Sequence, residues 1–457
     1  MIPFRKKSTG RRALVRFGIL LSVLGWFTAL QAAALEDAAD RALSLSDCIK
    51  IALETSPVSR AAEKAVLAAR EAVGESRAPY YPELGFQARY AHWQQRAFLP
   101  SGLSLPGRPT PTLIGPTDDW MAGIKLRFTL FDSGERRALY QAALARKGAV
   151  EEEKSRVRQD LILGVFQGYY GMAAAAEILA VAEKNLARAG DHLRLAGERK
   201  EAGAVSKADV LRVEVEKANA ELARVRAESL VRRAKGNLNT IMGLPAERAL
   251  ELDIIREETI PEDLPDLSAA LGQALKNRPE IKAAEFRLES LKGGLSAVKS
   301  TFGPKIRAEG SYGRRDTEFF PDDSEWLAGV SLEWPLFTGY YRRHRLARAE
   351  AEFSKEEAEV RQLLLKVRQE VWTAHSQLHE TRTAVQTTGT AVLQAEESMR
   401  LARERYEAGA GTVTDLLDAQ TALARSQASR VEALWDYQVS RAVFKRSIGE
   451  IEKEIRP

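Results

Sequence analysis

Few residues in this chain of 457 residues have both the type and the spacing that chemistry requires. His375 and His379 are four residues apart in a stretch with a helical pattern, and that spacing can hold a metal ion. The run is His-Ser-Gln-Leu-His, so it lacks the glutamate of the HExxH motif. The other three histidines are scattered: His92, His192 and His344. We therefore expect solvated histidines on helix surfaces and no metal site.

Aspartates mark two predicted helix starts. Two segments resemble capping boxes in which aspartate replaces the usual glutamate: Ser206-x-x-Asp209 and Thr412-x-x-Asp415. The helix dipole also favours an acid in the first turn, so capping and a functional role both remain open for Asp209 and Asp415. Asp418 lies one turn deeper, where capping is a weaker explanation. Residues three apart are neighbours on a helix, so Asp415 and Asp418 share a face.

Motifs of catalysis and cofactor binding do not occur: there is no P-loop, no nucleophile elbow and no Rossmann fingerprint. The composition, 45% hydrophobic and 29% charged, excludes a polytopic inner-membrane transporter and a disordered protein. We expect a protein that is not an enzyme and uses no cofactor.

The first 34 residues have the features of a secretory signal peptide. A basic stretch precedes an apolar core of about 14 residues, and Ala32-Ala33-Ala34 offers an A-x-A cleavage site. This segment holds six basic and no acidic residues, so its removal changes the balance from 68 basic and 63 acidic residues to 62 and 63. The mature chain is not basic, and we expect export and no nucleic-acid partner.

The rest of the chain is an internal duplication. The alternating segments 120–131 and 326–337 match at an offset of 206, and the same offset relates Glu201-Ala202-Gly203 to Glu407-Ala408-Gly409. A proline-rich insertion between residues 82 and 120 lengthens one loop of the first copy. We divide the chain into a signal peptide (1–34), a first repeat (35–243), a linker (244–266) and a second repeat (267–457).

Each repeat predicts the same order of elements: a helical stretch broken by a proline, two strands around a loop, a very long helix and a shorter returning helix. Apolar residues recur every seven positions in the long helices, which predicts supercoiled helices. The apolar stretch 161–176 is too short to span a membrane and predicts a buried helix. The helical ranges are 46–77, 135–201 and 206–242 in the first repeat, and 267–299, 341–407 and 412–448 in the second.

The predicted strands have one apolar face and one polar face. Ala122, Ile124 and Leu126, for example, alternate with Gly123 and Lys125. If the apolar faces meet lipid, several chains must close one barrel, because four strands of one chain would leave unpaired edges. The alternative is a soluble sheet packed on helices. The signal peptide and the long helices favour the shared barrel.

At this point the sequence resembles the TolC-type outer-membrane efflux channels. The resemblance rests on the duplicated layout and three segments: residues 130–134, residues 335–339, and residues 405–409 followed by 412–419. It implies a long α-helical coiled-coil tunnel with four β-strands per chain in a shared trimeric 12-stranded β-barrel. It also implies a homotrimer in the outer membrane, extending into the periplasm, in contact with outer-membrane lipid, a periplasmic adaptor and an inner-membrane pump of the RND or ABC type.

The resemblance also implies a gate at the periplasmic tip of the helices. Its residues here are Tyr406, Asp415 and Asp418 in the second repeat and Asp209 in the first. Like charges in a constriction repel, so carboxylate rings are explained better by selectivity or gating than by folding.

The tip of this chain departs at two positions of the latch from the family's best-known member. A basic residue of the family's best-known member is replaced by Gly411, and Ala208 stands where that member has a hydroxyl. Tyr406 can still form a hydrogen bond with Asp209. Lys207 is a candidate to replace the basic residue that is missing at Gly411.

The tip residues Gly203, Ala204, Gly409 and Ala410 are where the adaptor docks by family analogy, although small residues are also ordinary turn chemistry. The sequence thus predicts a channel-tunnel for efflux or type I secretion. The alternative is a periplasmic coiled-coil adaptor or scaffold that does not enter the membrane.

Overall fold

The structure is a computed structural model that describes residues 42–94, 96–97, 113–114, 118–254 and 264–455. The predicted signal peptide, most of the proline-rich loop and part of the predicted linker lie outside these residues.

The chain divides into two compact units. A helical unit contains residues up to Ala61, Arg156–Arg278 and residues from Val367 onward, and a sheet unit contains Ala62–Ser155 and Pro279–Lys366. Each unit takes parts of both repeats, because each long helix contributes one end to each unit. The repeat boundaries themselves stay a prediction.

Eight α-helices occur in the described residues, as two matching sets of four. The long helices have the predicted bounds, and the prolines at 57 and 279 begin new helices as predicted. The helices are α1 Leu45–Thr55, α2 Pro57–Arg77, α3 Glu135–Glu201, α4 Lys207–Ile241, α5 Leu267–Asn277, α6 Pro279–Ser300, α7 Tyr341–Glu407 and α8 Val413–Ser447.

The core of the helical unit contains the apolar stretch 161–176. Ile162 and Val165 are fully buried against Leu238 and Met242 of the first repeat. An 18-residue window of α3 is apolar enough to cross a membrane, but half of it is buried in the fold, as predicted. Cys48 lies in the same core, and burial raises the pKa of its thiol to about 12, so it is an unreactive core residue.

The predicted linker begins as part of this core. Leu43 forms a parallel bridge with Leu252, in which the Leu43 N–H donates to the carbonyl of Glu251 at 2.9 Å. Leu250 is buried, and the Asn239 amide donates to the carbonyl of Arg248 at 2.9 Å. Residues 244–254 are therefore anchored, which the acidic, proline-bearing composition did not indicate.

The seven-residue seam of α7 is buried as predicted. Val371, Leu378, Val385, Met399 and Tyr406 are all buried at steps of seven or fourteen residues. Each heptad has a second position that faces the seam, and in α7 small residues occupy it. Ala374 and Ala395, at two of these positions, are buried. The small side chains let neighbouring helices approach closely.

The sheet unit holds a four-stranded antiparallel sheet. Its order is β1-β4-β5-β6, so the two repeats meet at the pairing of β4 with β5. A short separate pair, β2 with β3, lies in the loop of the first repeat. The strands are β1 Glu83–His92, β2 Arg96–Ala97, β3 Leu113–Ile114, β4 Asp118–Phe131, β5 Lys305–Asp316 and β6 Ser324–Glu333.

The register keeps apolar residues on one face of the sheet and polar residues on the other. Phe86, Ile124, Tyr312 and Trp326 form one row across all four strands. The row of Glu83, Arg127 and Glu309 lies on the other face, and Arg127 pairs there with Glu83 at 3.1 Å. This confirms the alternation predicted from the sequence. Edge strands β1 and β6 each pair on one side only within the described residues.

A glycine pair allows β4 and β5 to approach. Gly123 and Gly313 are directly opposite in the register. A Cβ on Gly313 would lie 2.5 Å from the Ala122 carbonyl oxygen and 2.7 Å from the Gly123 Cα. Only glycine fits at this point of the sheet.

The junctions between strands and long helices use equivalent arginines in the two repeats. Each guanidinium donates to backbone carbonyl oxygens at the end of the preceding strand and lies about 5 Å from an aromatic ring. Multidentate contacts of this kind fix the chain where a strand becomes a helix. The contacts join Arg136 to Thr129 and Tyr80, and Arg342 to Pro335 and Phe302.

Candidate functional site

The turns of the two helix hairpins have the same backbone geometry. Gly203 ends α3 with a φ of +73°, and Gly409 ends α7 with a φ of +78°. The Ala204 N–H donates to the carbonyl of Arg199 at 2.8 Å, and the Ala410 N–H does so to Arg405 at 2.9 Å. These are Schellman turns, in which the left-handed position favours glycine. The turn alone therefore explains both glycines, while Ala204 and Ala410 are exposed beside them.

Both predicted capping boxes are formed. The Asp209 N–H donates to the Ser206 hydroxyl at 3.2 Å, and the Asp209 carboxylate accepts the Ser206 N–H at 3.1 Å. Thr412 and Asp415 exchange the equivalent bonds at 3.1 and 3.0 Å. Bonds from the Ser206 hydroxyl and N–H lower the pKa of Asp209, and bonds from the Thr412 N–H and hydroxyl lower the pKa of Asp415. Capping is thus a role that both aspartates have in this structure.

Asp418 has no such structural role. It is exposed on α8, one turn after Asp415, and makes no hydrogen bond or ion pair with a described residue. Both aspartates line a cleft of about 480 Å³ together with Arg405 and Leu401. The structure therefore brings Asp415 and Asp418 to one surface, as their spacing predicts, and leaves the charge of Asp418 available.

Tyr406 lies between the two hairpins rather than at a surface. It is 2% exposed and packs with Val213 of the first repeat and Leu416 of the second. Its hydroxyl has no hydrogen-bond partner among the described residues, so the bond to Asp209 is not formed. Burial raises the pKa of Tyr406, and the nearby Arg199 opposes this shift.

Arg199 is the basic residue that contacts Tyr406. Its guanidinium lies 4.7 Å from the centre of the Tyr406 ring and also donates to the Tyr406 carbonyl oxygen. Lys207, the candidate for this role from the sequence, is exposed and forms no hydrogen bond or ion pair with a described residue. Arg199 could have been found by extending the repeat match by two residues, because it is the counterpart of Arg405.

Gly411 leaves little space for the basic residue that the family's best-known member carries there. A Cβ at this position would lie 3.1 Å from the Tyr406 backbone nitrogen and 3.2 Å from the Arg405 Cβ. Any larger residue would push against α7 at its last turn. The missing basic residue and the close turn are therefore consistent with each other.

A layer of polar side chains is buried between α3 and α8, farther from the turns. Arg188 donates to the side-chain Oε1 of Gln427 at 3.1 Å, and the Gln420 amide donates to Oδ1 of Asn185 at 3.3 Å. Arg188 Nε, His192 Nε2 and Gln420 Oε1 have no partner within the part of the chain that is described. Buried polar groups without partners weaken a helix contact.

The expectation for the histidines was wrong for His192, which is 4% exposed. It lies three residues after Ala189 and four before Ala196, both buried, so the helical period places it on the inner face of α3. The Nε2 of His375 lies 3.0 Å from the carbonyl oxygen of Pro265, and His379 is exposed. Among the described residues, no three His, Cys, Asp or Glu side chains come together as metal ligands.

Comparison with known proteins gives the family. The family described as outer membrane efflux protein matches residues 48–244 and 270–450, one segment in each repeat. Protein CyaE of Bordetella pertussis is 29% identical over 385 residues, which cover 83% of this chain and 78% of that protein. The pyoverdine export outer membrane protein OpmQ of Pseudomonas aeruginosa is 26% identical over 425 residues, covering 89% and 83%.

Solved structures of outer-membrane channels have the same fold. VceC of Vibrio cholerae matches with a TM-score of 0.74 and 20% identity, over 89% of this chain and 96% of that chain. The outer-membrane channel OprN matches with a TM-score of 0.77 and 20% identity, over 89% and 90%. The chain belongs to the outer membrane efflux protein family, the outer-membrane channels of tripartite efflux and secretion systems, and it extends from the outer membrane into the periplasm.

Proposed function

We propose that three copies of this chain form one continuous channel through the outer membrane and conduct solutes passively, without a chemical reaction. The observation that carries the proposal is the four-stranded sheet with one apolar face and edges at β1 and β6. In lipid every backbone N–H and C=O must be paired, so these edges require partner strands. Three chains would close a barrel of 12 strands, in keeping with the family.

The polar face of the sheet would then line the channel. Its charged residues pair with each other, as in Arg307 with Glu333 and Arg315 with Asp119, and so remain compatible with a water-filled lumen. The apolar face carries large exposed side chains such as Phe86 and Trp326 toward lipid. A soluble scaffold would leave this face in water, which monomeric soluble proteins avoid.

The gate is proposed at the hairpin turns. Asp418 would supply a ring of charges that selects cations, and Asp415 would add to it while capping α8. Tyr406 would hold the two hairpins together through Arg199, and Asp209 would fix the start of α4 beside it. Opening would require the contact between Arg199 and Tyr406 to break.

The exposed turn residues Gly203, Ala204, Gly409 and Ala410 are proposed as the docking site of a periplasmic adaptor, which would connect the channel to an inner-membrane pump of the RND or ABC type. The name of OpmQ gives pyoverdine export as the role of that relative, so export of a small organic solute is one role that fits this chain. Type I secretion of a protein is the second.

The native mass of the mature protein, extracted from outer-membrane fractions in detergent, tests the assembly. We expect a heat-sensitive species with the mass of three chains, and we expect it to conduct ions in planar bilayers. A monomer in the soluble periplasmic fraction would contradict the channel and favour the adaptor-like scaffold.

A further inference from the structure

Large apolar side chains are exposed where β6 ends and α7 begins. Leu336 is 82% exposed and Phe337 74%, and Trp334, Tyr340 and Tyr341 are also exposed in this segment. Single exposed apolar residues are common, but a run of this kind marks an interaction surface. We call residues 334–345 the junction patch.

The junction patch continues the face of the sheet that meets lipid. Val330, Leu332 and Trp334 follow each other at steps of two along β6 and beyond it, on the same side as Trp326. The Trp334 ring nitrogen donates to the carbonyl of Phe302 at 3.1 Å, which fixes this indole at the end of the sheet. The patch lies at the end of β6 that leads into α7, and is therefore on the periplasmic side of the membrane.

Positive charge is concentrated at the same place. The first residues of α7 are Tyr341, Arg342, Arg343, His344 and Arg345, and the first turn contains no acid. Arg342 holds the junction, as described above, but Arg343 and Arg345 are exposed and form no hydrogen bond or ion pair with a described residue. The positive end of the helix dipole disfavours cations here, so these two arginines do not serve the stability of the helix.

The first repeat provides an internal comparison. Its junction has the same arginine that contacts carbonyl groups, Arg136, at the position of Arg342. At the positions of Tyr341, Arg343 and Arg345 it has Glu135, Arg137 and Leu139; Glu135 forms an ion pair with Lys305, and Arg137 is exposed. An exposed arginine at the position of Arg343 is thus common to both junctions, whereas Arg345 is a feature of the second junction and is not required for joining a strand to a long helix.

We propose that the junction patch binds an anionic phospholipid of the periplasmic leaflet of the outer membrane. Arg343 and Arg345 would contact the phosphate and the charged headgroup, and Leu336 and Phe337 would pack on the acyl chains. Guanidinium groups suit phosphate, and aromatic residues suit the depth of the headgroups. Tyr341 and Arg345 are one helical turn apart on the same side, so ring and cation can meet one lipid.

Native mass spectrometry of the detergent-solubilised mature protein tests this with phosphatidylglycerol and phosphatidylcholine of equal chain length. We expect phosphatidylglycerol to bind roughly 30-fold more tightly, at about fivefold for each arginine. The double variant Arg343→Gln, Arg345→Gln should bind the two lipids alike. Raising the salt concentration should reduce the preference of the unmodified protein.

A matched control removes two exposed arginines from a later part of the same helix, Arg361→Gln with Arg368→Gln, and should keep the preference. If the glutamine variant at the junction does not assemble, Arg343→Lys with Arg345→Lys preserves the charge and should retain most of the preference. The double variant Leu336→Ser, Phe337→Ser should weaken the binding of both lipids equally.

An equal affinity of the unmodified protein for both lipids would overturn the proposal, and so would a preference that survives in the glutamine variant. A loss as large in the Arg361 and Arg368 control would assign the effect to overall charge and also overturn it. The proposal rests on membrane insertion by this family, which the membrane fraction and native mass measure separately.

Discussion

Arg199 in the first repeat lies over the ring of Tyr406 in the second, with 4.7 Å between the guanidinium carbon and the ring centre. The same guanidinium donates to the Tyr406 carbonyl oxygen, in the last turn of α7. A single side chain therefore links the ends of two helix hairpins that come from different copies of the duplicated sequence. The link is within one chain and does not depend on a neighbouring subunit.

Replacing Arg199 by glutamine should favour the open state of the channel. The cation–π contact and the charged hydrogen bond together are worth about 2 kcal/mol, which corresponds to a ~30-fold change in the ratio of closed to open channels for each chain. Single-channel recording in planar bilayers measures this ratio. Lys207→Ala is the control and should leave it unchanged, and an unchanged ratio in Arg199→Gln would remove Arg199 from the gate.

Asp418→Ala and Asp415→Ala should separate selectivity from folding. Asp418 has no partner among the described residues, so its variant should lower the preference for cations without a change in thermal stability. Asp415 caps α8, so its variant should lower the cation preference and also destabilise the hairpin by about 1 kcal/mol. Reversal potentials in a salt gradient and thermal melting report the two effects. Equal stability losses would contradict this assignment.

His192 should make stability depend on pH. Burial lowers its pKa first, Arg403 and Arg188 lower it further, and Asp191 and Glu407 oppose them. Below the ordinary pKa of about 6.5 the unfolded chain takes up a proton that the folded chain does not. Stability should therefore fall as pH falls below about 6.5, by at most about 1.4 kcal/mol per pH unit.

Melting curves of His192→Gln should show a flatter dependence on pH than those of the unmodified protein. The control is His379→Gln, because His379 is exposed on α7 and its replacement should leave the dependence intact. Parallel pH profiles for the unmodified protein and His192→Gln would show that another group causes the effect.

Gly313→Ala should impair the sheet, whereas Gly329→Ala should not. The added Cβ at position 313 would lie 2.5 Å from a backbone oxygen of β4, while nothing lies within 4 Å of a Cβ at position 329. We expect a loss of about 1–3 kcal/mol for the first variant. Resistance of the assembled protein to dissociation by heat in detergent measures it. If both variants dissociate at the same temperature, the close approach of β4 and β5 does not contribute to the stability of the assembled protein.

The elements could be predicted from the sequence because each follows one periodicity. The strand faces followed from a period of two, and the bounds of α3 and α7 followed from the heptads and from the glycines that end them. The capping roles of Asp209 and Asp415 could be predicted because the residues of a capping box are close together in the sequence. The burial of His192 follows from its helical spacing to Ala189 and Ala196, but the scattered histidines were judged by type and not by their position in the helical period.

Contacts between the two repeats could not be predicted from periodicity or from local motifs. Arg199 and Tyr406 are 207 residues apart, and only the packing of the two hairpins brings them together. The anchoring of residues 244–254 likewise depends on Leu43, which is distant in sequence. The pairing of β4 with β5 joins the two copies, and alternation within each strand gives faces but not neighbours.

The two hairpins have identical helix lengths, 67 and 35 residues in each repeat. The equal helix lengths fix the position of one hairpin turn relative to the other. A deletion in one hairpin would set the two turns at different depths and separate Arg199 from Tyr406, whereas removing one heptad from every long and returning helix would keep the seam in phase. Each such step would shorten the hairpins by about 10 Å. A change in hairpin length that preserves these contacts must therefore add or remove whole heptads, and must do so equally in both repeats.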